Sequence, residues 1–263
     1  MNVTHFSLAA AMAMAATAPA THAETRFTAG YDYSSGDYGQ AVTTEIETAY
    51  AQWQSLGDTW SFSLKVPWIR VTGDGTVVPG LTGPVSFGET GGLPGFGGGA
   101  GTGTTTRSGL GDVTASVGYV LPARHGFYEV SAWVKLGTAD PDQGLGTGEN
   151  DYSLQFDAVP GSGGITPFLT AGYTVTGDSS GITYEDTAYA SVGLMVRGRD
   201  GATAGIGYDW REAAVAGGPE LRQVSGFVEW RANGAWSLAL SGLVGLSDGA
   251  PDYGFGLALV HRN

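Results

Sequence analysis

The stretch from Trp60 to Trp68 decides the fold class, and it reads WSFSLKVPW. Aromatic and aliphatic residues fill the even positions, whereas Ser61, Ser63 and Lys65 lie at odd ones. Successive side chains of a β-strand point to opposite faces, so this alternation predicts a strand with one apolar face and one polar face. The apolar face must meet lipid or a protein core.

The same period of two continues from Glu24 almost to the end of the chain. It predicts an all-β fold, and no stretch approaches the roughly 18 consecutive apolar residues of a membrane-spanning helix. The predicted strands lie near residues 25–33, 41–54, 59–71, 111–121, 127–136, 151–159, 165–176, 186–198, 202–211, 221–231, 235–246 and 252–262.

The connections between these strands alternate strictly between long and short. The long ones are 34–40, 72–109, 137–150, 177–185, 212–220 and 247–251, and the short ones are 55–58, 122–126, 160–164, 199–200 and 232–234. Bacterial outer-membrane barrels have short periplasmic turns and longer exterior loops. The pattern therefore predicts a transmembrane antiparallel up-and-down β-barrel of about 12 strands over residues 24–263.

Aromatic residues on the apolar face sort into two groups, with aliphatic residues between them. Those at the long-loop ends are Tyr31, Tyr33, Trp68, Tyr152, Tyr173, Tyr208, Trp210 and Tyr253, and those at the short-turn ends are Tyr50, Trp60, Tyr119, Tyr128, Trp230 and Trp236. This distribution is typical of aromatic girdles at two membrane interfaces. A soluble β-sandwich or lipocalin-like barrel would also alternate, but it has no reason to sort its aromatics.

Residues 1–23 are predicted to be a signal peptide, because an apolar run at 6–16 precedes the small-residue site Thr21-His22-Ala23. Export predicts a bacterial outer-membrane location, with outer-membrane lipid and the barrel assembly machinery as partners. A net charge of −13 argues against nucleic acid as a partner. The absence of cysteine excludes thiolate redox and thiolate-metal chemistry.

If the apolar face meets lipid, the polar face lines the lumen. The residues predicted to line a constriction there are Glu45, Glu47, Lys65, Glu129, Lys135, Asp157, Arg197, Glu229 and Arg231. Ionised groups in a barrel interior need water or charged partners. Two alternatives follow: a wet pore that the acids bias toward cations, or a filled lumen whose charges pair and hold the barrel shut.

The connection 72–109 is the longest and is rich in glycine. It either folds into the mouth and narrows it or stays mobile at the surface. The loop 137–150 and its flank carry oxygen ligands that could hold Ca²⁺, although their spacing matches no EF-hand. No cofactor and no catalytic residues are predicted, because only His125 and His261 survive signal cleavage and both fall near short-turn ends.

Two motifs resemble a known family. Residues 108–114 read SGLGDVT and run into Tyr119, while residues 135–141 read KLGTADP and precede GLGTG at 144–148. They resemble the outer-membrane family named for the meta-pathway of phenol degradation, in which the first motif opens a strand after a long loop and the second crosses an exterior loop. The resemblance implies a β-barrel with a transport role for small solutes, aromatic or hydrophobic compounds among them.

The expected function is thus an outer-membrane channel or uptake porin for passive diffusion of small solutes. The alternative is a closed structural or partner-binding barrel without conduction. In either case the sequence predicts a protein that is not an enzyme.

Overall fold

The computed structural model describes residues 24–80, 82–86, 103–161, 164–178, 184–198 and 201–263. The predicted signal peptide lies outside these ranges. The strands are β1 (Glu24–Gly36), β2 (Thr44–Leu56), β3 (Trp60–Gly73), β4 (Val77–Gly80), β5 (Gly83–Ser86), β6 (Thr105–Leu110), β7 (Val113–Val120), β8 (Phe127–Leu136), β9 (Asp151–Val159), β10 (Ile165–Val175), β11 (Thr187–Arg197), β12 (Thr203–Arg211), β13 (Leu221–Arg231), β14 (Trp236–Gly245) and β15 (Tyr253–Arg262). A 3₁₀ turn spans Pro141–Gln143. Over the described ranges, no helix is both long and apolar enough to span a membrane.

The main sheet closes on itself as an antiparallel barrel. Each strand pairs with its chain neighbours, and β1 closes the ring by pairing with β15 as well as with β2. Strands β6 and β7 both pair with β3 and together form one wall strand. The wall thus contains the predicted 12 strands, while β4 and β5 form a separate hairpin. The long and short connections alternate as the sequence predicts.

The break between β6 and β7 is a bulge opposite Pro67. Trp68 pairs with Leu110, but Lys65 pairs with Thr114, so three residues of one strand face two of the other. Proline cannot donate a ladder hydrogen bond, although its carbonyl oxygen accepts one from the Gly111 amide at 2.9 Å. An extra residue at this point is a β-bulge, which bends the strand next to the buried Asp112.

The two faces of the wall have opposite character. Apolar side chains such as Leu154, Ile206 and Leu240 are exposed on the outside, while threonines, serines, glutamines and charged groups are buried on the inside. Aromatic pairs lie near both ends of the outer face: Trp60 meets Tyr119 edge to face at 5.1 Å near the short turns, and Tyr33 stacks on Phe255 at 5.2 Å near the long loops.

Tyr50 departs from the predicted girdle. It lies opposite Gly30 and Pro67, both on the inner face, so its ring points into the lumen. Its place in the outer group was predicted wrongly because β2 carries both polar and apolar residues at even and odd positions. In such a strand, the pairing with its neighbours decides which face points inward.

Candidate functional site: the lumen and its long-loop mouth

The structure places most of the predicted constriction residues on the inner face. Those that are buried are Lys65, Lys135, Asp157 and Glu229; Glu129 is half-buried, and Arg197 and Arg231 are exposed where their strands reach the short turns. They are spread over the length of the barrel and do not form a single ring. That any of them narrows a pore stays a prediction.

Glu45 and Glu47 do not line the lumen, and this part of the prediction is wrong. Their carboxylates lie on the outer face near the long loops, where they accept hydrogen bonds from the hydroxyls of Tyr33 at 2.9 Å and Tyr31 at 3.0 Å. Glu47 also forms an ion pair with Arg70 at 3.1 Å. Direct cross-strand partners share a face, so the outward Tyr33 and Arg70 fix Glu47 outside the barrel.

Charged groups on the inner face form ion pairs along the wall. The Nζ of Lys135 lies 2.9 Å from Asp151 and 3.3 Å from Asp112, which belong to the two flanking strand regions. Arg262 pairs with Glu229 and lies 3.4 Å from Glu24. These pairs satisfy buried charges between near neighbours in the wall.

Lys65 lies deeper in the wall and has a different kind of partner. Its Nζ lies 3.8 Å from the centre of the Tyr50 ring, a cation–π contact with the neighbouring strand. The carboxylate of Asp32, two strands away, interacts with it electrostatically.

Three inner carboxylates have only neutral hydrogen-bond donors. They belong to Asp157, Glu129 and Asp209. Asp157 accepts a hydrogen bond from Thr170 at 2.6 Å, and Glu129 is the direct cross-strand partner of Asp157. Asp209 accepts from Ser191 at 2.5 Å and from Gln223 at 3.2 Å. Across the described parts of the chain, no lysine or arginine forms an ion pair with any of the three. In their ionised form they have no basic counter-ion in the described wall.

Four inner aromatic rings lie against glycines of a neighbouring strand. The direct cross-strand pairs are Tyr50 with Gly30, Phe168 with Gly193, Tyr189 with Gly172 and Phe227 with Gly205. A Cβ added to Gly172 would lie 2.3 Å from the Tyr189 ring, so only glycine admits the ring there. Such pairing covers the bare backbone of a strand glycine with an aromatic ring. As a result these four rings follow the wall. Trp133, on the inner face of β8, lies opposite Ser116 and Ser153 instead, and its indole N–H donates to the Ser131 hydroxyl at 2.8 Å.

The β4–β5 hairpin lies in the long-loop mouth. Val77 packs with Ile46, Ile69 and Val71 from the inner face of β2 and β3, and other loops complete this cluster. Tyr38, from the loop after β1, is part of it, and its carbonyl oxygen accepts a hydrogen bond from the Ser86 hydroxyl at 3.3 Å. Burial raises the pKa of the Tyr38 hydroxyl above its ordinary value, so this side chain stays neutral beneath the loops.

The other side of the hairpin reaches the opposite wall. Val78 and Val85 pack against Tyr184 and Val215, which join the loops after β10 and β12 through an isolated bridge. The Arg211 guanidinium, at the end of β12, donates to the Pro84 carbonyl oxygen at 3.0 Å. Strand β12 is the sixth from β3 in either direction round the ring, so the hairpin crosses the whole mouth.

Residues 77–80 and 82–86 therefore form a strap across the mouth rather than a mobile surface loop. Strands β3 and β6 also extend into the predicted 72–109 connection and pair as far as Gly73 and Thr105. Most of the glycine run at 97–103 lies outside the described residues.

The two sequence motifs meet at the base of the loop 137–150. The Asp112 carboxylate accepts from the Ala139 amide at 2.9 Å, and the Lys135 ammonium donates to Thr147 at 2.9 Å. A side chain at Gly146 would touch Asp112, which explains why glycine occupies that position. Two of the acids that could hold Ca²⁺ already have partners: Asp140 caps the 3₁₀ turn, and Asp151 pairs with Lys135.

Neither His125 nor His261 faces the lumen. His125 lies in the short turn 121–126, and His261 lies on the outer face with its ring 4.6 Å from that of Trp236. A serine hydrolase site would need a histidine beside its nucleophile. The two histidines offer no such arrangement in the described structure.

A closed ring of strands with an apolar outside and a polar inside defines a β-barrel of the outer-membrane type. Its fold is similar to that of an outer membrane channel from Pseudomonas putida F1, with a TM-score of 0.68 at 16% identity over 93% of this chain and 97% of that one. The Bordetella autotransporter BrkA β domain gives a TM-score of 0.52 at 10% identity, covering 91% of this chain and 99% of that chain.

The translocator domain of the autotransporter NalP from Neisseria meningitidis gives a TM-score of 0.51 at 10% identity, covering 99% of this chain and 96% of that chain. At these identities the likeness concerns the fold alone. No family model matches the chain, and no curated protein matches it in sequence. The resemblance to the meta-pathway family therefore stays a prediction.

Proposed function

We propose that this chain is a channel in the bacterial outer membrane through which small solutes diffuse passively. The observation that carries the proposal is the construction of the inner wall. Its charged groups bond to near neighbours in the wall, and four of its aromatic rings lie on glycines, as for Tyr189 on Gly172. This construction favours a polar path along the wall over a lumen whose charges pair across it.

The strap across the mouth controls which solutes enter. Both of its flanks are apolar, with Val77 on one side and Val78 and Val85 on the other. Small solutes with an apolar body, aromatic compounds among them, fit this entrance better than strongly hydrated ones. The fold is similar to that of an outer membrane channel, which is consistent with this function. The construction of the inner wall, and not this likeness, carries the proposal.

A second candidate is a closed barrel without conduction, whose loops bind a partner or stabilise the surface. The same strap favours it, because Val77 and Val78 are fully buried and held on opposite sides of the mouth. The two candidates differ in whether the strap narrows the path or seals it.

Planar-bilayer recording on the refolded protein separates them. The wild type is compared with a variant in which a flexible Gly-Ser linker replaces residues 77–86, and heat modifiability on a gel checks that each barrel is folded. Stepwise conductance of the wild type, with larger steps for the variant, supports the channel. A silent wild type supports the closed barrel, and silence of both proteins shows that the wall itself leaves no path.

A further inference from the structure

Arg211 is buried in the long-loop mouth, and its guanidinium has no acidic partner among the residues that the structure describes. Its side chain is 2% exposed, and one of its amino groups donates to the Pro84 carbonyl oxygen of the strap at 3.0 Å. Its Nε has no hydrogen-bond acceptor among the residues that the structure describes. A guanidinium has five N–H donors, so most of its donor capacity is left over.

The acids nearest in sequence are engaged elsewhere. The Asp209 carboxylate, two positions away on the same face, accepts from Ser191 and Gln223. The Glu212 carboxylate accepts from the Ala188 amide at 2.8 Å on the neighbouring strand. No carboxylate within the described ranges lies within 4.0 Å of Arg211. A buried cation without a counter-ion is costly, which indicates that this position serves an anion.

The space beside Arg211 is a cleft between the strap and the wall. Apolar and small residues line it: Pro84, Val85, Ala214, Val215, Pro219 and Gly249. Its free volume is about 10 Å³, which is about one water-sized sphere. The cleft therefore admits a larger body only when the strap moves away.

We propose that Arg211 and the cleft beside it form an entry site for the carboxylate of a small organic acid with an apolar body. The guanidinium binds the carboxylate in a fork of two hydrogen bonds, while Val85 and Val215 contact the apolar body. This site rests on the proposed channel function, since it selects what enters the mouth.

Binding at this site is coupled to the strap. A carboxylate competes with the neutral Pro84 carbonyl for the same guanidinium, and a charge-assisted hydrogen bond is the stronger of the two. Because the cleft has no room for both, the bound acid favours the conformation in which the strap has left Arg211. Binding of the acid thus weakens the hydrogen bond between Arg211 and Pro84 that holds the strap over the mouth.

Binding to purified protein in detergent tests the site without requiring transport. The probes are benzoate and its uncharged analogue benzyl alcohol, followed by ligand-observed NMR. We expect benzoate to bind the wild type and to bind Arg211→Gln at least about tenfold more weakly, which is about 1.4 kcal/mol. Arg211→Lys keeps the charge but loses the fork and should lie between them. Benzyl alcohol should bind weakly and equally to all.

Arg222→Gln is the matched control, because it removes the same charge at the same end of the barrel but from the outer face, where Arg222 pairs with Glu220. It should leave benzoate binding unchanged. Equal benzoate affinity in the wild type and Arg211→Gln, or an equal loss in the control, would overturn the proposal.

The strap-replaced variant separates a binding role of Arg211 from a purely latching one. It should bind benzoate at least as tightly as the wild type, because no strap has to be displaced. If Arg211 only latches the strap, this variant will not bind benzoate. Benzoate binding without bilayer conductance would support the Arg211 site but contradict the channel function. Conductance without benzoate binding would support the channel function but contradict the site.

Discussion

The Nζ of Lys135 lies 2.9 Å from Oδ2 of Asp151, and both side chains are buried where the loop 137–150 leaves the wall. Removing one partner of a buried pair leaves an uncompensated charge, at a cost of about 3–5 kcal/mol. We therefore expect Lys135→Met to lower the free energy of unfolding by about that amount. Urea unfolding of the barrel in lipid vesicles measures the change.

Arg70→Met is the comparison for this variant. Its ion pair with Glu47 has a similar length, 3.1 Å, but lies exposed on the outer face. Exposed pairs contribute about 0–1 kcal/mol, so this change should cost little. Equal losses in the two variants would contradict a special role for the buried pair.

The ring of Tyr189 occupies the space that a side chain at Gly172 would need, as the 2.3 Å distance to an added Cβ shows. Gly172→Ala should push the ring into the lumen, reduce single-channel conductance and cost about 1–3 kcal/mol through overpacking. Gly242→Ala, on the outer face opposite Phe255, adds the same methyl group away from the lumen, where its Cβ would meet just one atom within 4 Å, at 3.7 Å; it should leave conductance unchanged. If both variants conduct like the wild type, the rings do not border the path.

The carboxylates of Glu129 and Asp157 face each other across β8 and β9 without a basic partner in the described structure. At a pH high enough to ionise both carboxylates, Asp157→Asn and Glu129→Gln should lower the preference for cations over anions, because each then removes negative charge from the wall. Reversal potentials in a KCl gradient measure this preference. Glu45→Gln and Glu47→Gln should leave it unchanged, since both carboxylates lie outside the barrel.

Leu154 lies in the middle of β9 and is 60% exposed on the outer face. Arginine at the midplane of a membrane barrel costs about 2–4 kcal/mol but about 0–1 kcal/mol near an interface. Leu154→Arg should therefore reduce the folded fraction in vesicles strongly, whereas Tyr152→Arg, at the long-loop end of the same strand, should reduce it little. Folding of both to the same extent would contradict a lipid-facing wall.

The motifs at 108–114 and 135–148 show which features the sequence predicts and which it does not. The sequence predicts that each motif lies where a long loop meets a strand, but it does not predict the contacts that the motifs make with each other. Asp112 accepts from Ala139 and pairs with Lys135 only because the bulge, β8 and the loop 137–150 converge. A sequence pattern can indicate which residues matter, but it does not show which of them are in contact.

The alternation of residue types determined the strands, their number, the long and short connections and most outward faces, because each of these depends on side-chain direction within a single strand. The orientation of β2, the inward ring of Tyr50 and the outward Glu45 and Glu47 were decided by pairing with β1 and β3. Closure into a ring brought the strap to Arg211, six strands from its own base. Such contacts join residues far apart in the chain, so they exist only once every strand has found its neighbour.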